Sequence, residues 1–301
     1  MPDDAAPSGR PSFTVLVPVG PGGEEVERLR DTLASVRAHA GTHQVHVVIV
    51  DDAPAPRNLQ EAWPGADIVR TSVWEHGRPD ALTAHVAGTL EALGRARGRF
   101  ALKLDTDALV IAPFAEQLVA AFEADAALGI AGACEHSPDG GRRDWSMWPR
   151  QIRRSTRPLK LVARTATRGP RIRYRPRAER DRVRGVIAAA QRNPHYELGA
   201  HCLGGAYAVS GGLLARAREW DWRPWAQSGL GEDVVLGLLC AAAGFRMRGM
   251  VEDGEPFGVV WRGLPAPPAD LLDRGFSIVH SVKDGPHGTE AELRAWFRAR
   301  R

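Results

Sequence analysis

The segment "KLDTDALVIAP" (Lys103–Pro113) places Asp105 and Asp107 one residue apart at the end of an apolar run. A buried carboxylate is costly unless it is paired or holds a metal. Residues i and i+2 of an extended chain point to the same side. Two carboxylates so placed can hold one hard divalent cation, Mg2+ or Mn2+, of the kind that keeps waters and substrate phosphates as further ligands. Such an ion bridges a diphosphate and neutralises it as a leaving group. A bare Asp-x-Asp is as readily a solvated turn; its position after a buried strand favours the metal. A second acidic pair, Asp51–Asp52, closes the run "VHVVIVDD". A third, Glu232–Asp233, opens the apolar run "GEDVVLGLLCAAAG". Acids there also suit a helix N-terminus without any chemistry. Capping would keep Asp233 ionised, whereas desolvation and neighbouring acids would raise its pKa toward that of a working base.

The elements that must carry these acids follow from periodicity. "SFTVLVPVG" and "VHVVIVDD" read as strands buried on both faces, and residues 24–41 between them have helical spacing at Val26, Leu29, Leu33 and Val36. That unit implies a parallel pair with a right-handed crossover. "ADIVRTSV" is a third strand, 79–98 a helix, "RFALKLD" a fourth strand, 113–125 a helix and "LGIAGACEH" a further strand. The expected fold is α/β, an open, mostly parallel central sheet flanked by helices. Ligands of such sheets bind beyond the carboxyl ends of the strands, so Asp51, Asp52, Asp105 and Asp107 should share a cleft. Residues 137–200 break the alternation, with a helix expected only over 177–191. After them come a glycine-interrupted strand (201–212), the Glu232 helix, short strands including "FSIVHSV", and a closing amphipathic helix. The expected organisation is a lead-in (1–11), an α/β half (12–136), a basic insertion or lid (137–200) and a second half (201–301).

With 301 residues the chain can bury a real core, and 44% hydrophobic with 25% charged residues is ordinary for a soluble globular protein. Three separated cysteines, Cys134, Cys202 and Cys240, argue against a disulfide framework or a zinc ribbon, with a reducing compartment as the default. Lacking a signal-like start or an apolar run long enough for a bilayer, the chain is expected in the cytoplasm. The net charge of +4 conceals a division: residues 150–184 hold 14 Lys/Arg against Glu179 and Asp181, so the remainder is acidic.

The strings "VLVPVGPGG…VHVVIVDDA" and "GRFALKLDTDALVIAPF" resemble the opening and the Asp-x-Asp strand of GT-A fold glycosyltransferases, family 2 above all. "CLGGAYAVS…GEDVVLG" resembles the later region of the β3-galactosyltransferase and Fringe type. The resemblance covers about residues 12–136 and 201–283. It implies a Rossmann-like GT-A sheet and transfer of a sugar from a UDP-, dTDP- or GDP-linked donor to a sugar, glycan or small-molecule acceptor, with inversion and with Mn2+ or Mg2+. Pro18, Val19, Asp51 and Asp52 would meet the nucleotide. Asp107 would ligate the metal, with Asp105 supporting it or binding the ribose. Asp233 would be the base and Glu232 its neighbour. His280 would complete the metal site, with His287 as the fallback, and Lys283 would reach the diphosphate.

Several residues carry two readings. His280 is as readily a satisfied core histidine. Gly204 and Gly205 either let substrate approach the backbone or serve tight packing. Trp145 and Trp148, and likewise Trp220, Trp222 and Trp225, are sugar-stacking candidates or core. Arg78 is a phosphate contact or a surface residue. The Arg-rich segment is a solvated insertion, a grip for an anionic acceptor, or a contact with an anionic membrane surface. Nucleic acid is not expected, because the segment has Tyr174 as its only aromatic residue. Two competing functions are a sugar nucleotidyltransferase, disfavoured by the missing Thr-Arg after the first strand's glycines, and a non-catalytic binder of anionic polymer or lipid.

Overall fold

The computed structural model describes residues 12–76, 81–157, 159–162, 171–174, 176–226 and 228–301. The lead-in 1–11 and Arg78 lie outside them. β1 (Phe13–Val19) is buried along its whole length. α1 (Glu25–His39) returns the chain to β2 (Val45–Asp51), parallel to β1 with Val19 opposite Asp51. β3 (Asp67–Val69), α2 (Ala81–Arg95), β4 (Phe100–Leu104), β5 (Leu109–Val110), α3 (Ala115–Ala124) and β6 (Leu128–Gly132) follow. Then come α4 (Trp148–Ser155), β7 (Leu159–Val162), β8 (Arg171–Tyr174), α5 (Arg177–Gln191), β9 (Ala206–Ser210), α6 (Gly211–Ala217) and α7 (Glu232–Ala242). β10 (Arg246–Gly249), β11 (Phe257–Val259), α8 (Pro268–Asp273), β12 (Ile278–His280) and α9 (Glu290–Arg298) complete the chain.

The main sheet has seven strands in the order β10-β6-β9-β4-β1-β2-β3. β9 alone runs against its neighbours β4 and β6; every other pairing is parallel. This is the mixed α/β, mostly parallel architecture expected from the alternation. Phe13, Val15 and Val17 join the core under α1 and α3, and Leu16 joins the core against α2, α6 and α7, as side chains alternating along a doubly covered strand must. From β1 the chain adds β2 and β3 on one side, then crosses to β4 on the other side of β1. The switch point, where such sheets bind ligands, therefore lies between the ends of β1 and β4. A smaller sheet, β11-β12-β5, stands beside it and carries His280.

Some expectations are corrected. The third strand is three residues long, and the glycine-interrupted strand begins only at Ala206. β9 and β10 join the same sheet as β1–β4, so the two expected halves share one central sheet. Cys134 and Cys202, 68 residues apart, are joined in a disulfide, against the expectation of unpaired thiols; Cys240 is free and buried. Pairs that meet only through sheet topology leave no spacing signature. Since disulfides persist in oxidising environments, cysteine usage no longer speaks for a reducing compartment. Among the described residues, no helix is long and apolar enough to cross a membrane.

Candidate active site

Beyond the end of β4 the chain turns sharply, with the Ala108 amide donating to the Asp105 carbonyl at 3.0 Å. The turn is gripped from outside. Thr32 of α1 donates to the carbonyls of Thr106 and Ala108, both at 2.9 Å, and the buried Arg294 of α9 donates to Thr106 at 2.9 Å. The Asp107 carbonyl accepts from the Val282 amide at 2.9 Å, which ties the turn to the strand bearing His280.

Asp105, Asp107 and His280 then converge, each offering one donor atom within 4.8 Å of the others. His280 Nε2 lies 3.3 Å from Asp107 Oδ1 and 4.0 Å from Asp105 Oδ2. Donor atoms about 2.1 Å from one ion stand about 3 Å apart when adjacent and about 4.2 Å when opposite. His280 Nδ1 donates to the Val260 carbonyl at 2.7 Å, which fixes the tautomer and leaves Nε2 to face the carboxylates. The residues therefore fit a divalent cation, and one imidazole with two carboxylates suits Mn2+ better than Mg2+, which prefers oxygen alone. Asp107 Oδ2 meanwhile accepts from Ser281 at 2.8 Å and meets Lys283 Nζ at 2.9 Å. Burial opposes ionisation of Asp107, but His280 and Lys283 outweigh it and hold the carboxyl far below the usual range. Burial likewise opposes charge on His280, and Asp107 beside it raises its pKa nonetheless.

A buried chain of alternating charge crosses the switch point. Lys103, fully buried, meets Asp105 Oδ1 at 2.6 Å and Glu232 Oε1 at 3.3 Å, and donates to the Gly204 carbonyl. Glu232 Oε2 faces His85 Nε2 at 3.5 Å, and His85 Nδ1 faces Asp52 Oδ2 at 3.3 Å. Burial works against each charge, and the partners prevail. Glu232 and Asp52 push His85 up to about 10, Asp105 and Glu232 raise Lys103, and Lys103 and His85 hold Glu232 low. Asp233 lacks such partners. Desolvation, then the Glu232 charge, push it up to about 7. Its nearest imidazole, His201 Nε2 at 3.6 Å, is neutral: burial pushes His201 down to about 4, Nδ1 donates to the Gly199 carbonyl and Nε2 accepts from Arg143 at 3.2 Å.

Asp105, Asp107, His280, Lys283, His85, Glu232, Asp233, His201 and Arg143 line one cleft of about 590 Å³, whereas Lys103 is fully buried behind it and Asp52 is not part of the lining. Gly204 and Gly205 line the cleft and are also tightly packed. A Cβ on Gly204 would lie 2.7 Å from Glu232 Oε1, and one on Gly205 2.3 Å from the His280 ring. Asp52 closes the far end of the charge chain, with Oδ1 buried and unpartnered. Asp51 is turned away, gripped by Arg57 at 2.7 Å. The side chains of Pro18 and Val19 are buried, and the Val19 carbonyl accepts from the Asp52 amide and Arg57. Trp148 lines the cleft against His201, whereas Trp145 lines a separate pocket with Glu135 and His195. Trp222 and Trp225 are core and Trp220 packs on it, so those three are not platforms in the cleft. His287 is not among the described metal donors. Sequence reasoning missed Lys103, His85, His201, Arg143, Ser281 and Trp261. Lys103 alone left a signal, two residues before Asp105 and hence on its side of the strand.

No family model matches the sequence, and no curated protein matches it. Solved structures similar to it include a mannosyltransferase from Pyrobaculum calidifontis in complex with GDP-Man and Mn2+ (18% identity, 95% of this chain, 62% of that one, TM-score 0.40). Others are the galactosyltransferase LgtC with donor and acceptor sugar analogs (12% identity, 95% of both chains, TM-score 0.45) and the bifunctional glycosyltransferase WbbM (12% identity, 98% of this chain, 52% of that one, TM-score 0.48). The chain thus spans less than two thirds of the first and the last.

Proposed function

We propose that the protein is a metal-dependent GT-A-type glycosyltransferase, moving a sugar from a nucleotide diphosphate donor to an acceptor hydroxyl with inversion. The observation that carries this reading is the Asp105–Asp107–His280 cluster sharing one cleft with Asp233, a carboxylate whose pKa is pushed up to about 7. A divalent ion on that cluster would supply Lewis-acid neutralisation of the departing diphosphate. The resemblance assigns Asp52 to the nucleoside; its Oδ2 faces His85, which itself lines the cleft. Lys283, half exposed beside Asp107, reaches the phosphates. Asp233 takes the proton from the acceptor hydroxyl as its oxygen bonds to the anomeric carbon and the bond from that carbon to the diphosphate breaks. Glu232 acts indirectly, since Lys103 and His85 occupy both its oxygens.

The test is thermal stabilisation by UDP, GDP and dTDP with and without Mn2+. One of them should raise the melting temperature in the presence of the metal, and Asp107→Ala should abolish the rise. Asp233→Asn should keep the rise and lower turnover roughly 10²–10⁴-fold. A chain stabilised by none of these nucleotides with Mn2+ would refute the reading.

A further inference from the structure

Among the described residues, the large apolar side chains left exposed are Leu82 (39%), Met147 (55%) and Trp261 (81%), and Leu82 and Trp261 line the cleft. Trp261 does so from a backbone tied to the candidate ion site on both sides. The Val260 amide donates to the His280 carbonyl at 2.9 Å, and the Val260 carbonyl accepts from His280 Nδ1 at 2.7 Å. Two residues beyond the indole, the Gly263 carbonyl accepts from the Ser281 amide at 2.9 Å, and Ser281 in turn holds Asp107. The charged groups of the cleft, Asp233 apart, are engaged already. Asp105 and Glu232 share Lys103, Glu232 also meets His85, and Asp107 meets His280 and Lys283. Arg143 directs Nη1 to the carbonyls of Ala133 at 2.7 Å and His201 at 2.6 Å, and Nη2 to the His201 ring at 3.2 Å. A molecule entering the cleft therefore meets unengaged surface chiefly at Leu82, Leu203, Val260 and Trp261.

We propose that Trp261 determines acceptor specificity in the proposed sugar transfer, the reading on which this rests: its indole is the platform for the ring of a neutral pyranose acceptor. A pyranose carries C–H bonds on its face and hydroxyls on its edge. The C–H bonds meet the electron-rich face of the indole, and an edge hydroxyl stays free for Asp233. An anionic acceptor would find Lys283 and Arg143 engaged. An open-chain alcohol, such as a serine side chain, has no face to lay on an indole. The nucleoside is not the occupant, because Asp52, assigned to it, is not part of the lining. A platform tied down on both flanks needs no loop ordering when the ring arrives, so the contact is not offset by that cost. An aryl alcohol shares the ring face, and the experiment separates it from a sugar.

The experiment is saturation-transfer NMR titration of the full chain, with Mn2+ and whichever of UDP, GDP and dTDP stabilises it. The probes are the methyl hexopyranosides of glucose, galactose and mannose, the matching hexitols, methyl glucuronide and phenol. At least one neutral pyranoside should bind, more tightly than its hexitol, than the glucuronide and than phenol. Trp261→Ala should weaken that binding at least about fivefold, whereas Trp261→Phe, which keeps a ring, should stay within about twofold. Since the side chain is exposed, both variants should fold. Hexitol binding equal to that of the pyranoside, tighter binding of the glucuronide or of phenol, or undiminished binding in Trp261→Ala would overturn the proposal. A chain that no nucleotide stabilises refutes sugar transfer, and this assignment with it. A chain that is stabilised and yet takes none of the pyranosides refutes this assignment alone.

Discussion

Glu232 touches two cations and Asp233 none, and that difference divides their work. Glu232 stays ionised between Lys103 and His85; its charge, added to burial, makes Asp233 hold its proton to about pH 7. In the proposed reaction Asp233 must be deprotonated to act as the base, so kcat/KM should rise as pH climbs through about 7 and level off above it. In Glu232→Gln the repelling charge is gone, while Lys103 stays in place beside Asp105 and still favours the Asp233 carboxylate. Loss of the repulsion lowers the Asp233 pKa, so the acidic limb of the pH–rate profile should move down by about a unit or more. An unmoved limb would exclude Asp233 as the titrating base. The sign for stability is separate. The folded state holds this proton more tightly than the unfolded chain, so Asp233 favours folding at low pH and that support is lost as pH rises through about 7. The acids of this site were legible in the sequence because carboxylates at strand and helix ends are anomalous. Their neighbours were not: the cationic His85 sits mid-helix and the neutral His201 in a loop, and only the fold brings them to Glu232 and Asp233.

At the scale of elements, the turn after β4 and the approach to β9 are held at a closeness that a side chain would spoil. In Gly205→Ala the new Cβ would meet the His280 ring at 2.3 Å, so the ring or β9 must move. Calorimetric titration should show Mn2+ affinity falling at least about tenfold, since ligand geometry tolerates little displacement. Unaltered affinity would mean that His280 does not ligate. The disulfide makes a second prediction. Denatured without reductant, the chain should show one titratable thiol, Cys240, and three after reduction. The long elements were legible: α5 spans Arg177–Gln191, as its pattern predicts, and the apolar runs of β1, β2 and β4 mark a doubly covered sheet. The single reversed strand, β9, was not. Its burial matches that of its parallel neighbours, so nothing in its composition records direction.

For the whole molecule, the site depends on the packing of its two ends. Arg294 near the C-terminus meets Asp31 at 2.8 Å and Glu290 at 2.8 Å, and holds the Thr106 carbonyl between Asp105 and Asp107. Asp31 retains Arg301, and Thr106 retains Thr32, so Arg294→Met should cost about 2–3 kcal/mol rather than unfold the chain. Urea denaturation should report that loss, and Mn2+ binding should weaken with it. Unchanged stability and affinity together would show that α9 does not support the turn. The order of synthesis gives this arrangement another meaning. All seven strands of the main sheet have been synthesised once residue 249 is added, yet the histidine facing Asp105 and Asp107 follows at residue 280 and the arginine behind them at 294. As translation proceeds at roughly 5–20 residues per second, the nascent chain passes through an interval of a few seconds in which the main sheet can form but the ion site cannot. Ion capture therefore reports that residue 280 has been reached: a released fragment ending before it can build the wall of the cleft without the third donor of the ion site.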